Sequence, residues 1–201
     1  PESHGISLPA LKEFLDSGID ILLTCDTGIS AVDAVDFCNH RNVDVIITDH
    51  HSFPDVLPKA HAIINPRMLP RIHPLGNLAG VATAYQLANA LFDFTKRGSE
   101  SAYLLDLVAL GTIADLADLR SDGRYLAQSG LHMLRATERL GIRTLLEITE
   151  TNLSRLDEDH VSFIIAPRLN AVGRLSDANQ MVEFLTTKDP AFANIYAQQI
   201  E

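Results

Sequence analysis

Cysteine is scarce in this chain of 201 residues, which holds only Cys25 and Cys38. So few thiols argue against a disulfide-stapled scaffold and a cysteine-rich structural zinc site, and they fit the reducing cytoplasm. Cys25 reads as a small residue packed in a strand. Long hydrophobic runs are missing as well. No segment approaches the roughly 18 apolar residues of a membrane span, so no membrane partner is expected, and the first residues show no signal-peptide pattern. Basic side chains number 16 against 26 acidic ones, for a formal charge of −10. Taken alone, that balance argues against a nucleic-acid partner. The argument weakens where carboxylates gather to hold divalent cations, because bound ions restore positive potential where a phosphate would sit.

The rest is ordinary globular material, with 46% hydrophobic and 21% charged residues. Leu8 to Ser17 has helical spacing, with Leu8, Leu11, Phe14 and Leu15 on one face and Gly18 as a C-cap. Ile19 to Thr24 reads as a strand closed by a tight turn at Thr27-Gly28. Ala31 to Asn39 reads as a helix entered through Ser30 as N-cap, and Val43 to Thr48 as the next strand. This is a strand–helix–strand unit of parallel type. Ala62 to Asn65 reads as a further short strand, and residues 66 to 77, with Pro70 and Pro74, as an irregular connection. Helices are expected over 79–95, 101–110, 125–140, 142–150, 177–186 and 190–199, with breaks at Gly98, Gly111, Gly123 and Gly141. The expected fold class is α/β, a Rossmann-like three-layer parallel-sheet domain over residues 1–118, followed by a mostly helical extension over 119–201.

Four constellations carry chemistry. Asp26 follows the apolar run Ile21-Leu22-Leu23, and Asp49-His50-His51 follows Val45-Ile46-Ile47. Open α/β sheets place their ligand sites at the carboxyl ends of strands, so the two sets should converge on one crevice. Carboxylate oxygen with imidazole nitrogen suits manganese, magnesium or a similar cation. Successive strand-end residues point in different directions. One histidine can therefore bind metal while its neighbour meets substrate, and Asp49 supports an imidazole from behind. The third constellation is Leu110-Gly111-Thr112-Ile113-Ala114-Asp115, with Asp106 and Asp118 as nearby competitors. The fourth is the stretch from Ala166 to Arg174, read as turn-prone, where Arg168 and Arg174 flank Asn170 and arginine forks match phosphate oxygens.

With these in place the chain resembles the DHH phosphoesterase superfamily, and within it the RecJ-type single-strand-specific DNA exonucleases. The stretches that carry the resemblance are LLTCDTGISA (22–31), VDVIITDHH (43–51), AHAIINPRM (60–68), LAGVATAYQLANAL (78–91), LLDLVALGTIADLADL (104–119) and APRLNAVGRLSDA (166–178). The resemblance implies a hydrolase that uses two divalent cations, manganese or magnesium, to release nucleotides from the 5′ end of single-stranded DNA in repair and recombination. Repair proteins would be further partners. It implies Asp26 as a carboxylate shared by the metals, His50 and Asp115 as metal ligands, and Asp49 as the residue orienting the histidines. His51 would face the scissile phosphate, and Arg168, Asn170 and Arg174 would hold the strand. The superfamily's Asp-x-Asp motif on an earlier strand is absent from these residues. So are its glycine–glycine–histidine substrate domain and its oligonucleotide-binding barrel. The expectation is therefore an excised piece of a longer exonuclease that binds metal poorly and is inactive alone. Two other functions fit the same strand ends: a phosphodiesterase for oligonucleotides or cyclic dinucleotides (or a pyrophosphatase), and a non-catalytic DHH-like scaffold.

Overall fold

The three apolar runs become the three strands of one parallel sheet, β1 (Ile21–Cys25), β2 (Asp44–Thr48) and β3 (Ala62–Ile64), in the order β1-β2-β3. The computed structural model describes residues 5–175 and 178–201, and the side chains of residues 172–178 lie outside the described set. Leu22 pairs with Val45, Cys25 with Thr48 and Thr48 with Ile64, so all three strands end level with one another. α2 (Val32–His40) connects β1 to β2, and α1 (Leu8–Asp16) precedes them. One face of the sheet is sealed by these helices. Leu11, Leu15, Ala34, Val35 and Cys38 close on Val43, Val45 and Ile47, and Val35, Cys38, Val45 and Ile47 are wholly buried. Each fully buried aliphatic of this kind stabilises by about 1.5–3 kcal/mol relative to exposure. On the other face Ile21 and Leu23 stay exposed, while α3 (Gly80–Phe94) packs along β1 and β2.

Several local expectations are corrected. Only Leu11 and Leu15 of the α1 stripe are buried, while Phe14 is 65% exposed. Ser17 takes the C-cap position of α1, with Gly18 beyond it at φ 82°. The residue capping α2 is Ala31 rather than Ser30, and it makes no side-chain cap bond. The turn is closed by the main chain instead, through Ala31 N–H to Gly28 C=O at 3.0 Å. Cys25 is exposed at the end of β1 rather than packed.

Packing divides the chain into two compact units. One runs through Ser101 and includes Ala117–Arg124; the other holds Ala102–Leu116 and Tyr125–Glu201. The second unit is helical: α4 (Leu105–Ala114), most of α5 (Ser121–Arg135), α6 (Leu140–Ile148), a short α7 (Glu158–His160), a π-helical turn (Val161–Ile165), α8 (Ala166–Leu175), α9 (Ala178–Thr186) and α10 (Pro190–Ile200). Its core is built on Leu134, Ile142, Leu145, Leu146, Leu156, Ile165 and Phe184. Gly111, Gly123 and Gly141 lie inside α4, α5 and α6 rather than breaking them. At Gly141 the reason is contact, because a Cβ would meet the Phe184 carbonyl oxygen at 2.2 Å. The Ala166–Arg174 stretch, read as turn-prone, is helical. Pro167 is the second residue of α8, directly after the π-helical turn, whose altered hydrogen-bond spacing lets the helical run pass the missing N–H. Among the described residues no helix is long and apolar enough to cross a membrane.

Candidate metal centre

Asp26 leaves β1 with φ 61°, a left-handed conformation that costs a non-glycine residue about 1–2 kcal/mol. A net of bonds holds it there. Asp26 N–H donates to Thr48 C=O at 2.9 Å, Thr48 Oγ1 donates to Thr24 C=O at 2.8 Å, and Thr24 Oγ1 donates to Thr27 C=O at 2.7 Å. Gly28, at φ 110°, completes the turn, and a Cβ there would meet Thr24 Oγ1 at 2.8 Å. The Thr-Cys-Asp-Thr-Gly stretch is thus a hook that turns the Asp26 side chain out over the strand ends, 56% exposed.

Asp49 does the opposite. Its N–H continues the ladder to Ile64 C=O at 3.1 Å, and its carboxylate is fully buried. Oδ2 accepts from Ile29 N–H at 2.9 Å; Oδ1 accepts from His50 N–H at 2.7 Å, His51 N–H at 3.1 Å and the His51 ring Nδ1 at 2.7 Å. Burial pushes the Asp49 carboxyl up, yet the donors from Ile29, His51 and His50 outweigh it and hold the group below the usual carboxylate range. An ionised Asp49 assigns the proton of the His51 ring to Nδ1, which leaves Nε2 as an outward lone pair.

His50 turns its ring towards Asp26, with Nε2 3.1 Å from Asp26 Oδ1. The two imidazoles meet edge to face at 4.6 Å between centroids. Asp26, His50 and His51 each bring one ligand atom within 4.8 Å of the others. Two neighbouring ligands of an octahedral cation, each about 2.1 Å from it, stand about 3.0 Å apart, so the Asp26–His50 separation already matches a shared ion. The donor set of carboxylate and imidazole suits the same class of metal.

The far side of the centre was not foreseen. Asn65 Nδ2 donates to His51 C=O at 3.1 Å, and Arg67 Nε donates to His50 C=O at 2.8 Å, so the β3 end grips the main chain of both histidines. The Asn-Pro-Arg run after a strand was the only local signal. Gly80, the first residue of α3, lies against the Asp26 side chain, a contact with no local sequence signal.

The second unit holds the remaining expected residues. Asp115 is exposed at the C-cap of α4. Its competitors are otherwise engaged: Asp106 is buried against Arg139 at 2.7 Å and Thr137 at 2.9 Å, and Asp118 pairs with Arg120 at 3.0 Å. Arg168 directs its fork at Glu201, with Nε and Nη2 at 2.5 and 2.9 Å from the carboxylate, while Nη1 donates to Ile164 C=O at 2.8 Å. Asn170 is exposed on α8. The Arg174 side chain lies outside the described residues.

Residues 3–112 match the DHH family, N-terminal domain. The chain belongs to the DHH family. It is 38% identical over 200 residues to the single-stranded-DNA-specific exonuclease RecJ of Bacillus subtilis, covering 100% of this chain and 25% of that protein. It superposes with a TM-score of 0.88 at 30% identity on a crystal structure of exonuclease RecJ bound to manganese, covering 99% of this chain and 50% of the other. The RecJ of Thermus thermophilus in complex with Mn2+ gives a TM-score of 0.85, also at 30% identity, over 97% of this chain and 29% of the other. The DHH-family chain therefore spans a quarter of its Bacillus relative and half of the manganese-bound structure. Over that span it shares the α/β parallel-sheet fold expected from its sequence.

Proposed function

We propose that this chain forms part of the metal centre of a RecJ-type hydrolase that cleaves phosphodiester bonds of single-stranded DNA from the 5′ end in the cytoplasm, alongside repair proteins. The observation that carries the reading is the meeting of Asp26, His50 and His51 ligand atoms within 4.8 Å, above a buried, ionised Asp49. The names of its relatives, single-stranded-DNA-specific exonucleases, and a manganese-bound neighbour support the same chemistry. Two bound divalent cations, manganese or magnesium, would supply an acidified water and neutralise charge on the attacking and leaving oxygens.

The chain's own residues do the rest. Asp26 offers one oxygen towards His50, and its carboxylate, 56% exposed, is the ligand shared with a second ion. His50 Nε2 is a ligand, and Asp115 is a further carboxylate ligand. Asp49 holds His51 with the Nε2 lone pair outward, facing the scissile phosphate; once Nε2 takes a proton from water, it can pass that proton to the leaving oxygen. Asn170 and Arg174 bind the strand, and Arg168 joins them where a phosphate displaces Glu201 from its fork.

The test is a chimera in which this chain replaces the matching region of Bacillus subtilis RecJ. Manganese-dependent release of 5′ nucleotides from long single strands, abolished by Asp26→Ala, is the expected result. A folded chimera that prefers dinucleotides, or keeps its rate with Asp26→Ala, would overturn the reading.

A further inference from the structure

α3 begins at Gly80 with Ala79 at its N-cap and no side chain capping its first turn. Helix N-termini carry unsatisfied N–H groups and partial positive charge, which a nearby carboxylate offsets. The carboxylate present is that of Asp26. A Cβ built on Gly80 would lie 2.1 Å from Asp26 Oδ1, 2.5 Å from its Cγ and 2.7 Å from its Cβ, and these are its three nearest atoms.

The last distance decides the matter. A clash with Oδ1 or Cγ can be relieved by turning χ1 of Asp26, but rotation about χ1 does not move the Asp26 Cβ. A side chain at position 80 must therefore shift backbone, either the strained turn at Asp26 or the start of α3. The turn is pinned by Asp26 N–H to Thr48 C=O, and α3 is pinned by its packing along β1 and β2. We infer that Gly80 is a positioning residue for the metal centre: by lacking a Cβ it lets α3 close on Asp26 and fixes where the Asp26 carboxylate stands relative to His50 and His51.

This inference rests on Asp26 being a metal ligand for its functional consequence, though not for the contact itself. The contact is tested by melting four proteins in metal-free buffer: wild type, Gly80→Ala, Asp26→Gly and the double variant. In the wild-type background Gly80→Ala should lower the melting temperature by about 5 °C or more, as overpacking does. In the Asp26→Gly background the same change should be neutral or raise it, since alanine is the better helix former. Failure of Gly80→Ala to fold while the double variant folds is the same result in stronger form. Equal losses in both backgrounds, or both unfolded, would overturn the inference. The consequence is read in the Bacillus subtilis RecJ chimera carrying this chain, by manganese titration followed by electron paramagnetic resonance. Gly80→Ala should weaken manganese binding about tenfold or more, and an unchanged affinity would overturn its positioning role. Asp26→Asn separates the two readings: if that variant binds manganese as wild type does, the ligand assignment fails while the melting cycle still reports on the contact.

Discussion

Asp26 and Asp106 are both aspartates facing a potential cation, and the structure treats them in opposite ways. Asp106 is 7% exposed and surrounded by fixed donors: Arg139 Nε, the Thr137 hydroxyl and the Leu107 N–H. Arg139 in turn donates to the carbonyls of Leu185 and Tyr103, which ties α9 and the 3-10 turn preceding α4 to the α5–α6 connection. The second unit thus supplies its own cation and seals it in. Asp26 instead sits on a strained turn, over half exposed, beside a histidine at 3.1 Å. A buried charge complemented by the protein serves stability, whereas an exposed carboxylate held in a costly conformation is shaped for something else.

Substitutions should sharpen the contrast. The largest loss of stability is expected for Asp106→Ala, which leaves the half-buried Arg139 without its carboxylate partner. About 3–5 kcal/mol should disappear from the unfolding free energy in urea, and a loss under about 1 kcal/mol would remove the ion pair from its structural role. Next comes Asp49→Asn, whose amide would turn an N–H towards the Ile29 N–H or lose the donors on Oδ1. A loss of about 1.5–3 kcal/mol near neutral pH is expected.

That second effect depends on pH. The folded Asp49 carboxyl lies below its unfolded value, so its contribution is complete above the ordinary carboxylate pKa of about 3.9 and fades as pH falls through the folded value. The stability gap between wild type and Asp49→Asn should therefore narrow in acid. A gap that stays constant from neutral pH into strong acid would contradict the ionised, hydrogen-bonded Asp49. Thr137→Val is a smaller change, removing one hydroxyl from Asp106 for about 1 kcal/mol, measurable as a lower denaturation midpoint. Asp26→Asn should change stability least, by about 0.5 kcal/mol or less, since the left-handed turn suits asparagine equally well. A large loss there would make Asp26 structural and erase the contrast with Asp106.

How much of this was legible in the sequence follows from the range of each signal. The strands and their acidic ends could be read because apolar runs and terminal Asp and His residues are local features, and a parallel crossover aligns strand ends without further information. That Asp49 would stand behind an imidazole was a reading of the same kind, since alternation along a strand end sends neighbours in different directions; its complete burial left no signal. The Asp106–Arg139 pair was not, because two residues 33 positions apart, one on α4 and one in the connection before α6, leave no periodic trace. Gly111, Gly123 and Gly141 read as breaks because glycine disfavours helix locally, yet tertiary packing such as that of Gly141 against Phe184 overrides the preference. Pro167 misled in the same way, its cost absorbed by the π-helical turn before it. Gly80 was invisible because its meaning is a missing atom opposite a residue far away in sequence.

The most direct measurement is manganese binding to the Bacillus subtilis RecJ chimera carrying this chain, as wild type and as Asp26→Asn, both verified as folded, by titration monitored with electron paramagnetic resonance. Binding by the wild type that falls at least about tenfold in Asp26→Asn, with the melting temperature held, is the expected result. Equal affinity in the two proteins would contradict the assignment of the sheet edge as a metal centre.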